Sequence, residues 1–230
     1  MSAINLEDII GVTFKNKKLL TQAVVHRSYL NEHPEFELDH NERLEFLGDA
    51  VLELVVTEYL YKNYPNPEGE LTNWRASLVN GTTLANIAIK LGIEQFLFLS
   101  KGESRDKNSK ARFYILANAM EAIIGAIYLD TGIVQARKFI EKHIISELSA
   151  ILDQKLYIDA KSLFQEKAQD ILGITPNYRV ISAVGPDHAK TFKIGLYLDK
   201  ELIATGTGSS KQEAQTDAAR EGLIKKHWTI

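Results

Sequence analysis

The chain contains no cysteine. Disulfides, thiolate–zinc sites and cysteine nucleophiles are thereby excluded, and the composition fits a reducing compartment. Long apolar runs are lacking too: none approaches the ~20 residues of a membrane-spanning helix. The opening segment, MSAINLEDIIGVTF, places acids early and has no apolar stretch before a small-residue cleavage site, so it does not read as a signal peptide. Internal repeats and low-complexity tracts are also missing. These absences lead to the expectation of a cytoplasmic protein with no membrane partner. An excess of positive charge is the last thing missing. The formal net charge is −3, which by itself argues against a nucleic-acid binder. Residues 1–155 carry 17 Lys/Arg against 21 Asp/Glu, and residues 156–230 carry 10 against 9. Any nucleic-acid reading must therefore rest on where charges sit.

What is present is ordinary globular material: 230 residues, 45% apolar and 25% charged, enough for one large domain or two smaller ones. Apolar residues recur at three- and four-residue spacing over Leu19–Val25, Leu44–Leu60, Leu78–Leu91, Ile115–Leu129 and Val134–Leu152. Breakers separate these runs at Asn31–Pro34, Tyr64–Gly69, Gly92, Gly102–Ser109 and Thr131–Gly132. The polar segment Lys101–Arg112 is expected to be an exposed loop. After Asp153 the period changes. Asp159 can cap a helix that Gly173 ends. Strand-like runs follow at Tyr178–Val184, Thr191–Leu198 and Leu202–Gly206. A final helix starts at Ser210, with Glu213 completing a capping box, and runs to Lys226. The expected architecture is an all-α domain over residues 1–153, a linker at 154–158, and a small α+β domain of αβββα order over 159–228.

The candidate chemistry lies in two stretches. In Asn41-Glu-Arg-Leu-Glu-Phe-Leu-Gly-Asp49, a helical turn of 100° per residue puts Glu42, Glu45 and Asp49 within a stripe roughly 60° wide. The other faces carry Leu44, Phe46, Leu47, Val51, Leu52, Leu54 and Val55, a pattern expected of a buried helix. Three carboxylates there repel one another and resist desolvation, and a hard divalent cation would relieve both. The alternative is a plain solvent-facing side. In the second stretch Asn118 and Glu121, three apart, share a face with Gly125 on an otherwise apolar helix. Either the two polar faces meet, or Asn118 and Glu121 form a hydrogen-bonded pair in a helix interface.

The nine residues Asn41–Asp49 resemble the signature of the ribonuclease III family. So do His26-Arg27-Ser28-Tyr29, Gly69-Glu70-Leu71-Thr72 with Arg75-Ala76, Leu78-Val79-Asn80, and Leu116-Ala117 through Asp130, in the family's usual order. The resemblance implies an endonuclease that hydrolyses double-stranded RNA with Mg²⁺, Mn²⁺ being able to substitute. It implies 5′-phosphate and 3′-hydroxyl ends with a short 3′ overhang, and a role in ribosomal-precursor and other RNA processing. It implies a homodimer whose helical domains form a valley for RNA. Glu45, Asp49, Asn118 and Glu121 stand at the family's metal positions; Asp49 and Glu121 match the catalytic pair, and Glu42 another active-site acid. Asn118 departs from the family, which often has Asp there. An amide oxygen still ligates Mg²⁺ but supplies no charge, so weaker metal affinity with retained activity is expected. Tyr114 is a second departure, at a position where the family commonly has a small residue. Phe46 and Leu47 could serve the dimer interface or the core. His26 and Arg27 are read as structural.

The αβββα segment resembles a double-stranded RNA-binding domain. That resemblance places RNA contacts at Gln165 on its first helix, at the Gly185-Pro186-Asp187-His188 loop with Lys190, and at Ser209-Ser210-Lys211. Gln and His can read 2′-hydroxyls in the wide A-form minor groove, while helix amides and Lys211 meet phosphates. The basic cluster is thin, with Gln212 where the family often has Lys, so modest and salt-dependent affinity is expected. Two rivals to the enzyme are a binding protein with an inactive nuclease domain and a helical scaffold joined to an RNA adaptor.

Overall fold

The computed structural model describes residues 5–106, 109–153, 157, 159–186 and 190–228. The chain divides into two compact units, Met1–Tyr157 and Ile158–Ile230. The first unit is helical: α1 (Leu6–Ile10), α2 (Lys17–Ala23), α3 (Arg27–Glu32), α4 (Glu42–Asn63), α5 (Glu68–Val79), α6 (Gly81–Leu91), α7 (Lys101–Arg105), α8 (Lys110–Thr131), α9 (Ile133–His143) and α10 (Leu148–Asp153). The second holds α11 (Ala160–Leu172), β1 (Asn177–Val184), β2 (Thr191–Leu198), β3 (Glu201–Gly208) and α12 (Lys211–Lys226). The expected fold class, all-α followed by αβββα, is the one observed.

Helix α8 is the axis of the first unit. Ser109 caps it, its side chain accepting from the Arg112 amide at 3.2 Å. Ile115, Leu116, Ala119, Met120, Ala122 to Ile124, Ala126 and Ile127 are all buried. Helices α2, α4, α6 and α9 pack around it. Among the described helices α8 alone is long and apolar enough to cross a membrane, a reading the sequence did not give; here its apolar faces are spent on the core. At its C-terminal end Asp130 accepts from the amides of Lys15 and Asn16 at 2.7 and 2.8 Å, tying the N-terminal segment to it.

Several boundaries differ from the sequence expectation for identifiable reasons. The run Leu78–Leu91 is divided at Asn80, whose side chain accepts from the Thr83 amide at 2.9 Å and starts α6 afresh. The run Val134–Leu152 breaks after His143 into a 3₁₀ turn, Ile145–Glu147, and α10. The segment Lys101–Arg112 is not simply an exposed loop. It contains α7 and the first turn of α8, and its start is anchored to α3. The Ser28 hydroxyl accepts from the Ser100 amide at 3.1 Å, and the Glu32 carboxylate accepts from the Lys101 amide.

In the second unit the sheet order is β1-β2-β3, antiparallel throughout. Asp159 caps α11 through the amides of Lys161 and Ser162, and Gly173 ends it with φ +69°. The core joins Phe164 and Ala168 of α11, Leu196, Leu198 and Ile203 of the sheet, and Ala218, Ala219 and Leu223 of α12. β3 is longer at both ends than Leu202–Gly206. The capping box at α12 is half as expected. Ser210 accepts from the Glu213 amide at 3.2 Å, but the Glu213 carboxylate turns to the amide and hydroxyl of Ser209. Of the expected linker 154–158, only Tyr157 is among the described residues; its ring packs edge-on against Trp74, with centroids 6.0 Å apart.

Candidate active site and RNA-binding surface

Two glycines bring the polar faces of α4 and α8 together. A Cβ on Gly48 would lie 1.7 Å from the Glu121 carbonyl oxygen, and one on Gly125 would lie 2.2 Å from the Leu44 carbonyl oxygen. The helices therefore cross with backbone against backbone, a separation that only glycine on both sides permits. Glu45 and Asp49 flank Gly48 on α4, and Asn118 and Glu121 precede Gly125 on α8. The crossing sets these four side chains around one another.

The acids lie near enough to act on one another's charge. Burial pushes the Glu121 carboxyl up from 4.5 to about 7, with the negative charges of Asp49 and Glu45 adding to the effect. Burial also raises Glu45, helped by Glu42 and Asp49, while the Asn118 side chain beside it favours the charged form. Glu45, Asn118 and Glu121 are half-buried; Glu42 and Asp49 are exposed. Among the described residues no three Asp, Glu, His or Cys side chains gather closely enough to hold a metal by themselves. The Asn118 amide beside Glu45 adds a neutral oxygen to the acids of the two helices. The donor set still suits a hard cation: carboxylate and amide oxygens from two rigid helices, short of positive charge.

Glu42 lies one turn before Glu45 and is held differently. The Arg27 guanidinium is 3.4 Å from its carboxylate, and His40 Nδ1 is 3.8 Å away. Arg27 thus reaches an acid of the site, which the structural reading of the sequence missed. His26 is structural as expected. Its Nδ1 meets the Ser28 hydroxyl at 2.8 Å and accepts from the Ser28 amide, and burial lowers its basicity. Asn41, which opens the signature, is buried and donates to the Ala23 carbonyl at 3.2 Å, fixing where α4 begins. The expectation that α4 is buried on its remaining faces fails at two places: Phe46 is 82% exposed and Leu54 60%. Leu47, in contrast, packs against the core. Phe46 borders a surface hollow lined by Leu19, Gln22, His40, Arg43 and Leu129. The glycine pair is the feature that sequence reasoning passed over. A glycine inside each of two apolar helices was the available sign.

On the second unit, Gln165 is exposed on α11 and Lys211 is exposed as the first residue of α12. A hydrogen bond of 2.7 Å from Lys161 Nζ to Gln215 Oε1 joins the two helices. Gln165 lies one turn beyond Lys161, and Lys211 one turn before Gln215, so one helical surface presents both. Lys190 is half-buried just before β2. His188 and Asp187 lie outside the described residues.

Helical unit and αβββα unit together are the layout of a double-strand-directed nuclease. Residues 16–148 match the Ribonuclease-III-like family, and residues 160–226 match the Double-stranded RNA binding motif. The chain is 42% identical over 221 residues to Ribonuclease 3 of Carboxydothermus hydrogenoformans, covering 96% of this chain and 94% of that one. It is 44% identical over 223 residues to Ribonuclease 3 of Natranaerobius thermophilus, covering 96% and 95%. The crystallised nuclease domain of Ribonuclase III from Campylobacter jejuni superposes with a TM-score of 0.55 at 42% identity, over 61% of this chain and 94% of that domain. The chain belongs to the ribonuclease III family and is a double-stranded-RNA endonuclease carrying its own RNA-binding domain.

Proposed function

We propose that the chain hydrolyses phosphodiester bonds of double-stranded RNA with Mg²⁺, leaving 5′-phosphate and 3′-hydroxyl ends, as a cytoplasmic homodimer acting on ribosomal precursors and other transcripts. The observation that carries the reading is Glu121, pushed to about 7 by burial and by Asp49 and Glu45 across a glycine-to-glycine helix crossing. Glu45, Asp49, Asn118 and Glu121 would hold the cation. A cation held there would supply Lewis-acid polarisation of the scissile phosphate and a bound water of lowered pKa. The protein's own contribution is positional. Asn118 partly offsets the burial that raises Glu45, Arg27 orients and screens Glu42, and the α4–α8 crossing places Asp49 on one helix and Glu121 on the other. Gln165, His188, Lys190 and Lys211 are proposed to hold the duplex, the lysines on its phosphates.

The dimer reading rests on Phe46. A phenylalanine this exposed beside a hollow flanked by Leu19 and Leu129 suits burial against a second copy. The Campylobacter jejuni nuclease domain has a region involved in dimer formation, which supports the same arrangement here. The test is direct. A labelled RNA duplex is incubated with the full chain in Mg²⁺, with EDTA and Glu121→Gln as controls. Cleavage that requires the metal and Glu121 is expected. Binding without cutting by the unmodified chain would leave only the RNA-binding reading.

A further inference from the structure

Helix α8 carries one more polar group on the active-site face. Tyr114 stands one turn before Asn118 and two turns before Glu121, and at 100° per residue the three fall within a stripe roughly 60° wide. Its side chain is 68% exposed. It has no hydrogen bond and no ring contact among the described residues. Its neighbours on the buried faces, Arg112, Ile115 and Leu116, are covered. The phenol is thus a large amphipathic group left open at the end of the acid cleft. Burial in the core does not account for its position, because most of its surface is open to solvent. Helical side chains lean toward the N-terminus, so the ring projects away from Asn118 and lies about 10 Å along the axis from Glu121. That distance reaches nucleotides beside the reacting phosphate rather than the phosphate itself.

The chemistry of the group fits what a duplex presents there. A-form RNA shows 2′-hydroxyls and phosphate oxygens on its accessible face, with the bases stacked inside. A phenol hydroxyl donates to either, and its ring covers the ribose. We propose that Tyr114 is a substrate-binding residue of the nuclease domain, donating a hydrogen bond to the ribose–phosphate backbone of a nucleotide flanking the cleaved bond. The inference rests on the endonuclease reading above, and the experiment separates the two.

The full chain and the variants Tyr114→Phe and Tyr114→Ser are assayed in Mg²⁺ on one duplex cut at a known bond. Duplexes with single 2′-deoxy or single methylphosphonate substitutions near that bond are run alongside. Removing one neutral hydrogen bond is expected to lower kcat/KM by roughly three- to tenfold in both variants. One substitution should lower the unmodified chain to a similar degree and have no further effect on Tyr114→Phe, the non-additivity that marks a direct contact. A coupled 2′-deoxy position identifies the hydroxyl as the partner; a coupled methylphosphonate identifies the phosphate. Unchanged kinetics for Tyr114→Phe, or full additivity at every position, would overturn the proposal. So would a loss in Tyr114→Ser traced by sedimentation to a changed oligomeric state. Thermal unfolding should not separate the variants from the parent, since Tyr114 is exposed. Failure of the unmodified chain to cut would strike the endonuclease reading instead.

Discussion

Replacing Glu121 by Gln should make the metal-free protein more stable at alkaline pH and leave its stability unchanged in acid. The folded chain holds a proton on this carboxyl up to about pH 7, whereas the unfolded chain releases it near 4.5. Between those values the folded state binds more protons, so stability falls as pH rises and levels off above about 7. Glutamine has no such proton, and its contribution is flat. A carboxyl moved from 4.5 to about 7 corresponds to about 3 kcal/mol of unfavourable interaction with its charged form. Glu121 is only half-buried, and solvent screening reduces this to about 1–2 kcal/mol. At roughly 2–4 °C per kcal/mol for a chain of this size, the variant should melt a few degrees above the parent at about pH 8.5 in EDTA. At about pH 5 most of that difference should be gone. Circular dichroism melts across this range read the effect. Mg²⁺ at alkaline pH should then stabilise the parent more than the variant, because the cation binds only the folded site. Parent and variant tracking each other at every pH would refute the claim that Glu121 sits among uncompensated carboxylates.

Three further outcomes follow from the same geometry. Gly48→Ala places a methyl 1.7 Å from the Glu121 carbonyl oxygen; forcing the helices apart should cost about 1–3 kcal/mol or more and lower cleavage as well, read by urea denaturation and a duplex assay. Asn118→Asp adds the charge that the amide lacks, so the Mg²⁺ concentration for half-maximal cleavage should fall; an unchanged midpoint would show that Asn118 has no part in holding the cation. Lys211→Ala should weaken duplex binding at low salt and flatten its dependence on salt by about one counterion, measured by fluorescence anisotropy; unaltered binding would remove Lys211 from the interface.

The sequence was legible where periodicity and capping agree. The acid stripe, the Asp159 cap, the Gly173 stop and the strand order are all local patterns, and local patterns survive folding. The departures arise where tertiary context decides. The Asn80-Gly81 pair inside the run Leu78–Leu91 is a local turn signal outweighed by the apolar period, and the Asn80 side chain, accepting from the Thr83 amide, ends one helix to begin another. The charged stretch after Ser100 reads as loop, but anchors from Ser28 and Glu32 order it. Phe46 looks like core in a one-dimensional pattern and is open to solvent in the folded chain. The candidate site shows the same division. Its acids could be named from spacing, whereas the meeting of two helices had to be seen in the contact of Gly48 with Glu121 and of Gly125 with Leu44.

That crossing separates two properties that most binding sites mix. The width of the cleft is fixed by main-chain atoms in contact, so it does not depend on which side chains line it. The charge inside it is carried by those side chains alone. A family built on such a joint can exchange a lining residue, as with Asn at position 118, and change the charge of the cleft while its walls stay at the same spacing. The joint works as a gauge: it transmits dimension and leaves composition free. Substitutions at the lining acids should therefore alter affinity and rate in an otherwise unshifted frame, and substitutions at the two glycines should move every lining residue at once.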